Sequence, residues 1–240
     1  MTFNTIANYI NTKQINLDTK LMAGTCMSLE NHILAKWNKD GPQTEGQYRK
    51  LADALVETGK TTVLYYKYNL LLYPYGQLYD LYKEISTFFK EVAGEDALRH
   101  GYYMQCWLNI YKKGQFIGWH SHSGNGNKDV PSYHGFYCVT GEGSKTTYKV
   151  VPNKDYIDVP TVPNQIVMSK CSNDMHRTWP WEGDEPRITI AFDITCRQQI
   201  NFADSSNKIY HRDSEEYNIP SKANLGEYAV TYNNHWIPII

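Results

Sequence analysis

Three stretches in the first hundred residues carry apolar positions at the three- and four-residue spacing of a helical face. In SLENHILAKWNKDG the stripe is Leu29, Ile33, Leu34 and Trp37, with Ser28 placed to cap its start and Gly41 to end it. TEGQYRKLADALVETGK repeats the pattern with Tyr48, Leu51, Ala52, Leu55 and Val56, and stops near Gly59. GQLYDLYKEISTFFKEVAG does so again with Leu78, Leu81, Tyr82, Ile85, Phe88, Phe89 and Val92, closed by Gly94. Between the last two lies TTVLYYKYNLLLYPYG, whose β-branched and aromatic residues predict a strand ended by Pro74 and Gly76.

After Arg99 the period changes. YYMQCWLNIY, QFIGWH, YHGFYCVTG, TTYKVV, IDVPTV, QIVMSK and RITIAFDIT are short, aromatic or β-branched, and separated by Gly, Pro and Asn. Such a series predicts an antiparallel sandwich or jelly roll. There is no β-α alternation and no glycine-rich phosphate loop, which argues against a dinucleotide-binding or P-loop fold. From about Ile200 the chain is polar and irregular, as expected of an arm that wraps the domain or a partner. The expected fold class is α+β. Residues 1–240 form one domain: a mainly helical part over 1–99, a jelly-roll core over 100–199 and a C-terminal arm over 200–240.

Charge narrows the function classes. The chain has 24 Lys and Arg against 25 Asp and Glu, a net charge of −1. It therefore carries no broad basic field for nucleic acid or an anionic membrane. Its five cysteines are odd in number, widely spaced and without a C-x-x-C pair. That pattern is neither a disulfide framework nor a zinc knuckle, and it suits a reducing compartment. MTFNTIANYINTK has no basic-then-apolar signal pattern, and no apolar run reaches the ~18–20 residues that span a bilayer. The expectation is a cytoplasmic protein, with an oligomer possible through the arm.

Of the eight histidines, His32, His100, His211 and His235 read as solvated or locally capped. His120 and His122 differ, because residues i and i+2 of a strand face the same way. Two imidazoles about 7 Å apart at the backbone can converge on one ion. Alone, H-x-H is a weak signal that a solvated strand end would also explain. It gains force from His176, which lies just beyond the strand-like QIVMSK, and from Arg187 eleven residues beyond His176.

The ordered set Tyr111, Gly114, His120, His176, Arg187 resembles the iron- and 2-oxoglutarate-dependent dioxygenases, in particular their prolyl 4-hydroxylase-like branch. The first motif there runs Y-x-x-G-x-x-x-x-x-H-x-D. HGFYCV, from His134 to Val139, resembles the next strand of that family. The resemblance covers roughly residues 100–195 and implies a double-stranded β-helix with the N-terminal helices packed on it. It implies Fe(II) and 2-oxoglutarate as cofactors, and hydroxylation of an unknown small-molecule or peptide substrate. It also implies that Arg187, with Tyr111 and Thr189, holds the distal carboxylate of the oxo acid, since a guanidinium offers a planar fork to a carboxylate.

The sequence departs from the motif at His122, where the family has Asp. Either His122 is itself the third metal ligand, beside His120 and His176, or a carboxylate comes from Asp129 or Asp174. Imidazole and carboxylate both suit non-haem Fe(II). Trp119, His134, Tyr137 and Trp179 are candidates for a substrate pocket, and Trp181 flanks the same segments. The Gly- and Asn-rich loop after His122 is a candidate lid. Two alternatives stand beside this reading: a three-histidine, cupin-like metal enzyme that does not use 2-oxoglutarate, and a non-catalytic jelly-roll binding protein.

Overall fold

Asp18 opens the first helix: its Oδ1 accepts from the Leu21 N–H at 2.9 Å. The computed structural model describes residues 4–6, 10–40, 69–122, 131–149, 156–171, 175–196 and 237–239. Helix α1 spans Thr19–Asp40, so it starts nine residues before the expected Ser28. Met22, Cys26, Leu29 and Ile33 are all buried and form one continuous stripe. Gly24, Thr25 and Ser28 dilute the apolar signal of its first turns. Helix α2, Gly76–Ala93, matches its expected range and buries Leu78, Leu81, Ile85, Phe88 and Phe89. Gly94 ends it with φ +56°, and a short α3, Glu95–Arg99, comes next. The expected helix over 44–60 and most of the expected strand before Pro74 lie outside the described residues. The described end of that strand is instead a 3₁₀ turn, Leu70–Leu72. Buried Asn69 causes the change. Its Oδ1 accepts from Leu71 N and Cys106 N, while its Nδ2 donates to Met104 O.

The strands are β1 Asn4–Ile6, β2 Ile10–Gln14, β3 Tyr102–Tyr111, β4 Tyr133–Cys138 and β5 Lys145–Lys149. They continue with β6 Tyr156–Pro160, β7 Gln165–Lys170, β8 Met175–Thr178, β9 Arg187–Cys196 and β10 Ile237–Pro238. Seven form one sheet in the order β1-β2-β7-β4-β9-β3-β10; three form a second, β6-β5-β8. All pairings among the described residues are antiparallel. The two sheets face each other across a cavity, the layout of a jelly roll. The N-terminal part thus supplies two strands of the large sheet besides its helices. The rest of the C-terminal arm lies outside the described residues.

Strand parity divides the large sheet into two faces. Tyr102, Met104, Cys106, Leu108 and Ile110 of β3 and Ile188, Ile190, Phe192 and Ile194 of β9 are buried in the hydrophobic core. Phe89 of α2 meets Tyr102 and Tyr133 edge-to-face at 4.8 and 5.2 Å. Lys13 of β2 pairs with Glu91 of α2 at 2.8 Å and fastens the helix to the sheet. The opposite parity faces the cavity. QFIGWH, expected as a strand, is not a regular one; it runs beside β8 and residues 179–181. His120 and His176 exchange backbone bonds of 3.0 and 2.8 Å, Thr178 N donates to Ile117 O, and Trp181 N donates to Gln115 O.

Candidate metal centre

The cavity between the sheets has a volume of about 300 Å³. Its large-sheet wall is built from cross-strand rows. Tyr111 lies opposite Arg187, Asn109 opposite Thr189, Trp107 opposite Ala191, and Gln105 opposite Asp193. β4 extends the last two rows with Phe136 and His134. All of these residues line the cavity, and Thr146, His176 and Thr178 line it from the small sheet.

His120, His122 and His176 form the metal-capable cluster among the described residues: one nitrogen of each lies within 4.8 Å of the others. Their backbone origins explain the convergence. His176 is on β8, and the bridge between His120 and His176 brings the H-x-H segment alongside it. His120 Nδ1 lies 2.9 Å from Gly118 O and His122 Nδ1 lies 2.7 Å from Asp193 Oδ1. A carbonyl or carboxylate oxygen only accepts, so each Nδ1 carries the proton when the ring is neutral. That leaves Nε2 of both rings with a lone pair for a metal, and metal-bound histidines usually have such an outer partner. Burial, then repulsion from His122, pulls the His120 pKa down to about 4, so this ring is neutral near pH 7. A neutral donor set is what a divalent ion requires.

His134 stacks on His122 at 4.4 Å and 7°, and its Nε2 is 2.7 Å from Ser169 Oγ. Trp107 also lies nearly parallel to His122, at 6.0 Å. Tyr148 stacks on His176 at 5.1 Å. Asp129 and Asp174 lie outside the described residues. The carboxylate that is seen at the cluster is Asp193, behind His122.

At the other end of the wall Arg187 is 2 % exposed. Its Nε donates to Ser144 Oγ at 2.8 Å, and the guanidinium lies 5.5 Å from the Tyr111 ring centre. Among the described residues no carboxylate pairs with it. Tyr111 Oη is buried and has no hydrogen-bond partner among them. Gly141 is required here: with φ +104°, its missing Cβ would lie 2.5 Å from Arg187 Cγ. A buried cation and a phenol without a partner among the described residues, with the Thr189 hydroxyl in the next row, are groups of the kind that could hold an anion.

Three of the four expected pocket residues are elsewhere. Tyr137 has the parity of the helix-facing side and donates to Asn164 Oδ1 at 2.7 Å. Trp119 and Trp179 flank Arg177 at 4.8 and 3.9 Å on the outer face of the small sheet, and Trp179 is 41 % exposed. Trp181 gives its indole N–H to Glu185 O. Only His134 of the four reaches the cavity. The candidate lid over 123–130 lies outside the described residues. Asp193 and Gln105 did not stand out in the sequence. Parity was the available signal: Asp193 shares its face with Arg187 and Thr189 in an otherwise apolar strand.

No protein-family model matches the sequence, and no curated protein matches it. Solved structures are similar to this chain in part. A Pseudomonas putida prolyl-4-hydroxylase is 11 % identical, with a TM-score of 0.49 over 80 % of this chain and 94 % of that one. A viral collagen prolyl hydroxylase from Paramecium Bursaria Chlorella virus-1, in complex with 2OG, is 13 % identical, with a TM-score of 0.47 over 78 % and 95 %. EvdMO1 is 12 % identical, with a TM-score of 0.50 over 78 % of this chain and 47 % of that one. At 12 % identity the likeness to EvdMO1 is one of fold alone. No helix among the described residues is long and apolar enough to cross a membrane.

Proposed function

We propose that this protein is a non-haem Fe(II)- and 2-oxoglutarate-dependent oxygenase that hydroxylates a small-molecule or peptide substrate. One observation carries the reading: a three-imidazole cluster and a buried arginine that no carboxylate among the described residues pairs with open into the same cavity. Nitrogen donors of intermediate softness suit Fe(II), and the all-histidine set departs from the usual two-histidine, one-carboxylate arrangement. His120, His122 and His176 would hold the metal. Arg187, Tyr111 and Thr189 would hold the far carboxylate of the oxo acid.

A bound Fe(II) supplies dioxygen activation coupled to oxidative decarboxylation of 2-oxoglutarate, which gives succinate, carbon dioxide and a hydroxylated C–H bond. The chain supplies binding and orientation. Arg187, itself buried, neutralises the distal carboxylate where its charge is little screened by water. Tyr111 Oη donates to the same group. The rigid rows of β3 and β9 fix the spacing between anion receptor and cluster, so that the reacting end of the co-substrate is presented to the metal.

The all-imidazole donor set favours one second reading, a three-histidine metal enzyme that oxidises its substrate without an oxo acid. Arg187 separates the two, because that chemistry has no use for a buried cation. The test is anaerobic reconstitution with Fe(II), then addition of 2-oxoglutarate and oxygen. About one Fe(II) per chain and slow release of succinate, even without substrate, are expected. His176→Ala should lose both. Iron binding without any 2-oxoglutarate binding would select the second reading, and unimpaired iron binding by His176→Ala would remove the site.

A further inference from the structure

The carboxylate that the H-x-H pair lacks is present one bond further out. Asp193 Oδ1 lies 2.7 Å from His122 Nδ1, and the two side chains are only 24 % and 18 % exposed. Asp193 sits in the middle of a cross-strand row, with Gln105 on β3 to one side and His134 on β4 to the other. Gln105 hydrogen-bonds the carboxylate, and only its amide N–H can do so, because both carboxylate oxygens accept. The central residue of the row is thus braced from β3 and in turn braces His122.

We infer that Asp193, held by Gln105, is the positioning residue of the metal centre, fixing His122 as the Nδ1–H tautomer with Nε2 turned toward His120 and His176. This rests on the oxygenase reading for the identity of the metal, but not for the tautomer. The carboxylate makes the imidazole a stronger donor. It also returns to the centre the negative charge that a histidine at position 122 removes, from behind the ligand instead of beside it. Trp107 and His134, nearly parallel to the His122 ring, limit its rotation.

Asp193→Asn is the test, since it keeps the size of the side chain. A carboxamide can face the ring with its oxygen or its NH₂, so it no longer selects one tautomer, and it carries no charge. Two quantities are measured on the full chain. Long-range ¹H–¹⁵N correlations of the metal-free, ¹⁵N-histidine-labelled protein read the His122 tautomer. Anaerobic titration with Co(II), a probe with a visible spectrum, reads affinity. Wild type should show His122 as the Nδ1–H form alone, and Asp193→Asn a mixture. Co(II) should bind about 10- to 100-fold more weakly to the variant, and Asp193→Glu should regain part of both properties. An unchanged tautomer, or unchanged Co(II) affinity in Asp193→Asn, overturns the inference. Should wild type bind no Co(II), the oxygenase reading fails, and the tautomer alone then decides whether Asp193 positions His122.

Discussion

Arg187 is the side chain on which the co-substrate reading turns, and its surroundings separate a binding role from a structural one. A structural arginine at 2 % exposure would be paired; this one meets Ser144 Oγ and the Tyr111 ring. Arg187→Leu is expected to weaken 2-oxoglutarate binding by about 2–5 kcal/mol, as for truncating one member of a buried charge pair. Lysine should recover only part of it, because a point charge cannot reproduce the fork. The melting temperature of the ligand-free protein should hold or rise, since a desolvated charge has been removed. Calorimetric titration and a thermal scan check both; retained affinity with a lower melting temperature would make Arg187 structural. His120 gives a pH dependence. Its folded pKa, about 4, lies below the ordinary histidine value of 6.5, mainly through burial. As pH falls below 6.5 the unfolded chain takes up this proton first, so stability of the metal-free protein drops down to about pH 4. Urea midpoints measured from pH 7 to 4 should show the decline, and His120→Gln should flatten it.

At the scale of elements, the large sheet is held to the helices by alternate residues of β3, β4 and β9, and at Gly135 the neighbouring strands β7 and β9 leave no room for a side chain. A Cβ there would lie 2.0 Å from Val167 O and 2.5 Å from the Phe192 ring. One of these atoms is backbone in a paired strand, so it cannot step aside. Gly135→Ala should therefore destabilise the fold by about 1–3 kcal/mol or more, as overpacking does. Chemical denaturation measures it, and a neutral result would mean that β4 and β7 shift apart. His134, the adjacent residue, would move with β4, so the variant is also expected to perturb the ring stack on His122.

At the scale of the whole molecule, a distant piece of chain covers the start of β3 at the outer edge of the large sheet. Ile237 pairs with Met104 and Pro238 with Tyr103, Ile239 N donates to Tyr102 O at 2.9 Å, and Tyr82 Oη donates to Pro238 O at 2.7 Å. Without β10 the backbone groups at Tyr102–Met104 of β3 would lose this partner and be exposed to pairing with another chain. Truncation before Ile237 should lower the melting temperature and produce concentration-dependent association, read by light scattering. A monomeric truncation with an unchanged melting temperature would show that β10 contributes nothing to the edge.

Period and parity along the chain were enough to mark α2, β3, β4, β7 and β9, because each element buries one face and its apolar residues recur accordingly. Parity put His120 beside His122 and Thr189 beside Arg187, and the family resemblance joined these to His176 as one set. Parity says which residues share a face, but not what lies across from that face. Tyr137 and Trp179 therefore read as pocket residues although one faces the helices and the other the outer side of the small sheet. β2 was missed for a related reason. Its five residues gain their strand conformation from pairing with β7, and no local period announces a partner about 150 residues away. Asp193 belongs to the same class: its position on the strand was readable, but its meeting with His122 Nδ1 exists only once β3, β4 and β9 lie side by side and the H-x-H segment is laid against β8.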